Sequence, residues 1–109
     1  MRQNALRPGD YESSGQTLVT GRSIRVFGHV QGVFYRAWTL QQAQMLGLKG
    51  WVRNRRDGSV EIEAWGDPAA IDALIEKCRQ GPAQARVERI THDEIEGEPP
   101  QGFRAASTI

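Results

Sequence analysis

The amino-acid sequence predicts an α+β sandwich, with elements in the order β-α-β-β-α-β and two helices on one face of an antiparallel sheet. Three observations predict it. Apolar residues alternate along short runs, they recur at helical spacing in two others, and glycine, proline and aspartate punctuate the joins. The 109 residues suit a single domain, long enough to bury a core without disulfides or metals.

The elements follow in order. From Arg22 to Val30 the residues Ile24, Val26, Gly28 and Val30 alternate with polar ones, which is strand periodicity. The stretch from Val33 or Phe34 to Leu46 has no Gly or Pro and places Tyr35, Trp38, Thr39, Ala43 and Leu46 on one helical face. Gly47 then stands where a helix C-terminal cap is expected. Lys49 to Asn54 reads as a short strand, and Arg55, Arg56, Asp57 and Gly58 as the hairpin connection after it. In Ser59 to Trp65, Val60, Ile62 and Ala64 alternate with Glu61 and Glu63, so one sheet face is wet. Asp67-Pro68 opens a second helix by pairing an N-cap acceptor with a proline that has no amide to lose. Ile71, Leu74, Ile75 and Cys78 fall at i, i+3, i+4 and i+7, which makes Cys78 core filling, and Gly81-Pro82 ends the helix.

Ala85 to Ile95 reads as a fourth strand whose phase slips between Val87 and Ile90, the mark of a bulge or a shifted boundary. Residues 97–102 form a Gly/Pro-rich loop, and Phe103 to Ser107 adds a short edge strand. Residues 1–20 show neither period and contain Pro8, Gly9, Ser13, Ser14 and Gly15. They are expected to be a flexible extension, with the domain over residues 21–109. This order defines the ferredoxin-like sandwich, which hosts unrelated functions, so function must be read from particular residues.

Composition narrows the classes. A single cysteine excludes an intramolecular disulfide and any multi-cysteine zinc or iron–sulfur site. No apolar run approaches the roughly 20 residues that cross a bilayer, and residues 1–20 lack the apolar core of a signal peptide. The expectation is a cytoplasmic monomer with no membrane partner. The net charge of +1 conceals an asymmetry. Seven basic residues and no acidic one lie between Arg22 and Arg56, whereas eleven acids and five bases follow from Asp57 onward. The basic half is where an anion site should be sought.

Two segments there could carry chemistry. Gly28-His29-Val30-Gln31-Gly32-Val33-Phe34-Tyr35-Arg36 spans a strand-to-helix junction. Glycines four residues apart let the backbone curl, and the unpaired amides of the following helix can bind an anion. Arg36 sits in the first turn, where the helix dipole disfavours a cation. An anion between dipole and guanidinium would reverse that penalty, and arginine can grip two phosphoryl oxygens at once. The same spacing also fits a tight connection with a surface arginine. No Gly-Lys-Ser/Thr follows, so this is no Walker A loop. In the second segment, Gly50 to Gly66, Asn54 ends a strand just before the hairpin. Its amide offers donors and an acceptor that could orient a water without titrating; equally, an asparagine there can simply close a turn.

Together the segments resemble the paired signatures of the acylphosphatases. The first pattern, G-x-V-Q-G-V-x-aromatic-R, is met by Gly28 through Arg36, and the second, G-aromatic-V-R-N-x3-G-x-V-x5-G, by Gly50 through Gly66. The likeness extends from about Arg22 to Ser107 and departs at Tyr35, where the family more often has Phe. It implies hydrolysis of acyl phosphates to carboxylate and phosphate by direct attack of an oriented water, with no metal and no other cofactor. Carried over by position, Arg36 binds the phosphoryl group, Asn54 positions the water, and the loop of Val30, Gln31, Gly32, Val33 and Phe34 is the phosphate cradle. Inorganic phosphate or sulfate is the expected competing ligand.

Other classes fit less well. A nucleic-acid partner is not expected, because Glu61 and Glu63 beside Trp65 would repel a phosphate backbone and no RNP-like motif is present. His29 and His92 are expected on the surface, outside the chemistry. A non-catalytic anion-sensing or maturation module would keep the same cradle without turnover.

Overall fold

Residues 19–109 are described by a computed structural model; the extension expected over residues 1–20 lies almost wholly outside them, and its last residue, Thr20, opens the first strand. The elements are β1 (Thr20–His29), α1 (Tyr35–Met45), β2 (Lys49–Asn54), β3 (Val60–Gly66), α2 (Pro68–Gln80), β4 (Arg86–Ile95) and β5 (Phe103–Ala105). The sheet order is β4-β1-β3-β2-β5. The first four of these strands pair antiparallel, and β5 joins β2 in parallel. The ferredoxin-like sandwich expected from the sequence is therefore observed, with a parallel strand added on one edge.

Alternation in register builds the core. Ile24 lies opposite Ile62, and Ile62 opposite Val52, so three strands turn the same phase inward. All three side chains are fully buried, as are Val26, Val60 and Ala64. Against this face pack Tyr35 and Ala43 of α1, and Ile71, Leu74, Ile75 and Cys78 of α2. Burial of such side chains is worth roughly 1.5–3 kcal/mol each before chain entropy is counted. It selects this register, since a slip of one residue would send every apolar group to the wet face.

The helix ends obey local rules. Asp67 caps α2 by accepting from the Ala69 amide at 3.0 Å, with Pro68 at the first helical position. At the end of α1 the Leu48 amide donates to the Ala43 carbonyl and the Gly47 amide to that of Gln44, a Schellman pair that satisfies two orphan acceptors. The last turn of α2 uses a device the sequence does not announce. The buried Tyr35 hydroxyl donates to the Cys78 carbonyl at 2.6 Å, so a tyrosine at this position ties α1 to α2 in a way that phenylalanine could not. Burial, then the Cys78 thiol, push the Tyr35 phenol above its ordinary pKa, which keeps it a neutral donor.

The phase slip in β4 is a bulge. Phe27 pairs with Arg89, but Gly28 pairs with Val87, leaving Glu88 as the extra residue. Gly28 adopts φ 132°, and a Cβ there would run into the Arg86 carbonyl oxygen. Gly28→Ala is therefore expected to destabilise the fold by on the order of 3 kcal/mol, combining backbone strain and overpacking. Urea unfolding read by circular dichroism would show it as a lowered midpoint with an unchanged slope.

Candidate active site

The end of β1 and the start of α1 are joined by residues that cannot continue either element. Gly32 (φ 73°) and Phe34 (φ 63°) are both left-handed, so the chain curls back before the helix begins. Phe34 occupies the N-cap position of α1 and supplies no side-chain cap, and the first turn contains no acidic residue. Intrahelical bonding starts with the Trp38 amide on the Phe34 carbonyl at 3.0 Å. The amides ahead of it have no side-chain acceptor at the positive end of the helix dipole.

A cavity of about 290 Å³ opens at this junction. Val30, Gln31, Gly32 and Phe34 line it from the loop, Tyr35, Arg36 and Ala37 from the first turn of α1, and Asn54 from the end of β2. Arg36 and Asn54, eighteen residues apart in sequence, thus line one cavity. Val33, expected in the same cradle, is not among the lining residues; its side chain is buried in the core. His29 and His92 are exposed and outside the cavity, and His92 Nδ1 lies 3.2 Å from Arg22 Nη1.

Long-range bonds hold the two sides together. Gln31 Nε2 donates to the Arg55 carbonyl at 2.7 Å and to the Ser59 carbonyl at 2.8 Å. The loop is thereby pinned to the β2–β3 hairpin, directly after Asn54. The hairpin is itself closed by Asp57, whose Oδ1 accepts from the Ser59 amide at 2.9 Å and its hydroxyl at 2.6 Å. Those two bonds, from hydroxyl then amide, hold the Asp57 carboxyl below its ordinary pKa. On the other side of Asn54, its carbonyl accepts from the Ile109 amide at 3.1 Å, and the Arg56 amide donates to the Ile109 carbonyl at 2.8 Å. Neither the Gln31 tie nor the Ile109 contacts are legible in the sequence, because both are side-by-side placements of distant segments.

Register also disposes of most of the basic run. Glu61 on β3 stands directly opposite Arg25 on β1 and Arg53 on β2. Its Oε1 accepts from Arg53 Nε at 2.9 Å and Arg55 Nη1 at 2.7 Å, while Arg25 Nη2 is 3.8 Å from Oε2. Burial pushes the Glu61 carboxyl up, but the hydrogen bonds from Arg55 and Arg53 outweigh it and the net shift is downward. Among the described residues, the carboxylates pair with Arg22, Arg25, Arg53, Arg55 and Arg79, and none pairs with Arg36. A half-buried guanidinium beside a helix N-terminus, with no carboxylate partner among the described residues, has the charge and geometry that suit an anion.

A ferredoxin-like sandwich whose first strand–helix loop, first-turn arginine and hairpin asparagine enclose one cavity defines the class of protein to which this chain conforms. The family model for acylphosphatase matches residues 22–105, and the chain belongs to the acylphosphatase family. It is 48% identical over 88 residues to an acylphosphatase of Rhizorhabdus wittichii, an alignment covering 81% of this chain and 89% of that protein. With an acylphosphatase of Mesorhizobium japonicum it shares 58% identity over 72 residues, 66% of this chain and 77% of that protein. The solved structure of an acylphosphatase from Coxiella burnetii aligns with a TM-score of 0.78 at 39% identity, covering 81% of this chain and 93% of that one.

Two outcomes are expected from this geometry. Gln31→Ala removes the donor shared by two hairpin carbonyls and should cost about 1–2 kcal/mol of stability, measured as a lowered urea midpoint. For Glu61 the folded carboxyl titrates below the ordinary value of 4.5. Its stabilising contribution is then complete above that value and lost as pH falls through the lowered folded one. Stability measured from pH 7 down to pH 3 should fall in the wild type, and the gap between it and Glu61→Gln should shrink over the same range.

Proposed function

We propose that this chain is an acylphosphatase that cleaves the carboxyl–phosphate bond of small acyl phosphates without a metal. The observation that carries the proposal is that Arg36, Asn54 and the uncapped loop line one cavity. An acyl phosphate is an activated anhydride whose carboxylate leaves readily, so no strong general acid is needed. What remains is to hold the phosphoryl group, offset charge on its oxygens and aim a water in line with the leaving oxygen.

In this reading the loop amides from Val30 to Phe34 and the Arg36 guanidinium hold the phosphoryl oxygens. Asn54 orients the water through its amide. The water oxygen bonds to phosphorus as the bond from phosphorus to the acyl oxygen breaks; the electron pair leaves with the carboxylate, and the proton from water passes to a phosphoryl oxygen. Val33 contributes through its backbone alone, since its side chain belongs to the core. Inorganic phosphate competes for the same cradle. In this reading the enzyme acts as a cytoplasmic monomer. Its one thiol, Cys78, is fully buried and pushed by burial up to about 12, so it offers no disulfide to a second chain.

The ultraviolet decay of benzoyl phosphate, followed with and without chelator, tests this. Turnover should survive EDTA unchanged. Arg36→Ala should lower kcat/KM by roughly 100-fold or more and abolish protection by phosphate against thermal unfolding. Asn54→Ala should lower kcat with little change in KM, because it acts on the attacking water more than on ground-state binding. Near-normal kcat/KM in Arg36→Ala would remove the arginine from the mechanism, and loss of activity with chelator would overturn the metal-free step.

A further inference from the structure

Phe34 is placed at odds with both its backbone and its side-chain chemistry. It is the sole non-glycine residue with positive φ among the described residues, at 63°. Its side chain is also the most exposed of the large hydrophobic ones there, at 82% of its surface. The left-handed backbone is explained by the curl that leads into α1, but glycine or asparagine would adopt it at less cost. The identity of the residue is not explained by the curl. Nor is it explained by packing, since the ring covers no part of the core. In the signature met by Gly28 through Arg36, this position is the one left open between valine and the aromatic residue.

The cavity itself offers a use for the ring. Phe34 lines the cavity of about 290 Å³ together with Arg36 and Asn54, the side chains that a phosphoryl group and a water would engage. The acyl part of a substrate must lie close by, because it is bonded to the phosphoryl group. Polar side chains lining the cavity are claimed by the phosphoryl group and the water, while Phe34 lines it too and has an exposed aromatic ring. Aromatic faces pair favourably with other planar rings beyond what area alone gives.

Resting on the acyl phosphate reading above, we infer that Phe34 is a specificity-determining residue for the acyl group, favouring a planar aromatic ring there over a short aliphatic group. The ring is a platform for the acyl group beside the cradle, with no part in the chemical step. Because a platform of this kind binds ground state and transition state alike, its loss appears in KM more than in kcat.

The test is the ratio of kcat/KM for benzoyl phosphate to that for acetyl phosphate, in wild type, Phe34→Gly and Phe34→Tyr. Glycine relieves the left-handed strain, so a folding defect cannot mimic the result, and tyrosine restores the aromatic face. Phe34→Gly is expected to lower the ratio about tenfold, through a raised KM for benzoyl phosphate, and Phe34→Tyr to hold it. A fall smaller than about threefold in Phe34→Gly, or a fall in Phe34→Tyr as large as in Phe34→Gly, would overturn the assignment while leaving the hydrolase reading intact. A wild type that turns over neither substrate would overturn both.

Discussion

One amide side chain holds the two halves of the site in register. Gln31 spends its Nε2 on the carbonyls of Arg55 and Ser59, and every other element of the cavity is positioned around that tie. β1 and α1 carry the loop and Arg36; β2 and the hairpin carry Asn54. The sheet does not bring these two ends together by itself, because β3 lies between β1 and β2. A neutral donor suits the task. It crosses the gap without adding a charge beside the cavity, and its partners are backbone carbonyls.

The electrostatic design is one of subtraction. Read as a string, residues 22–56 look uniformly basic. Folded, the cross-strand register sets Glu61 opposite two arginines and within reach of a third, and Asp57 takes a share of Arg25 at 3.7 Å. The field near the cavity is therefore not the sum of seven cations. Arg36, Lys49 and Arg56 have no carboxylate partner among the described residues, and of these only Arg36 lines the cavity, at the positive end of the helix dipole. The carboxylates that follow in sequence neutralise much of the scaffold and none of the charge that lines the cavity.

The fold was largely legible because its signals are local. Alternation placed β1 to β4 to within two residues, Asp67-Pro68 and Gly47 marked helix ends, and a broken period marked the bulge at Glu88. The parallel direction of β5 was not legible, since three residues contain no record of which way their neighbour runs. For the site, Arg36 and Asn54 stood out by residue type at element ends, and the cavity contains both. The loop around Val33 is legible from its glycines, but the burial of the Val33 side chain in the core is not, because a curled segment has no fixed period. Gln31 and the Tyr35 hydroxyl find partners 24 to 43 residues away. No periodicity encodes such contacts; they exist only once the sheet has formed.

The borders of the sheet have a consequence for how copies of this chain behave when crowded. A sheet ends in two unpaired rows of backbone donors and acceptors, and those rows are what fibrils recruit. Here one border, β5, is three residues long, too short to template an added strand. The other, β4, is interrupted by the extra residue Glu88 and studded with exposed Arg86, Arg89, Asp93 and Glu94. A bulge twists the row out of line, and each charge would have to be desolvated on docking. The irregularity in β4 thus acts as a guard against amyloid-like growth.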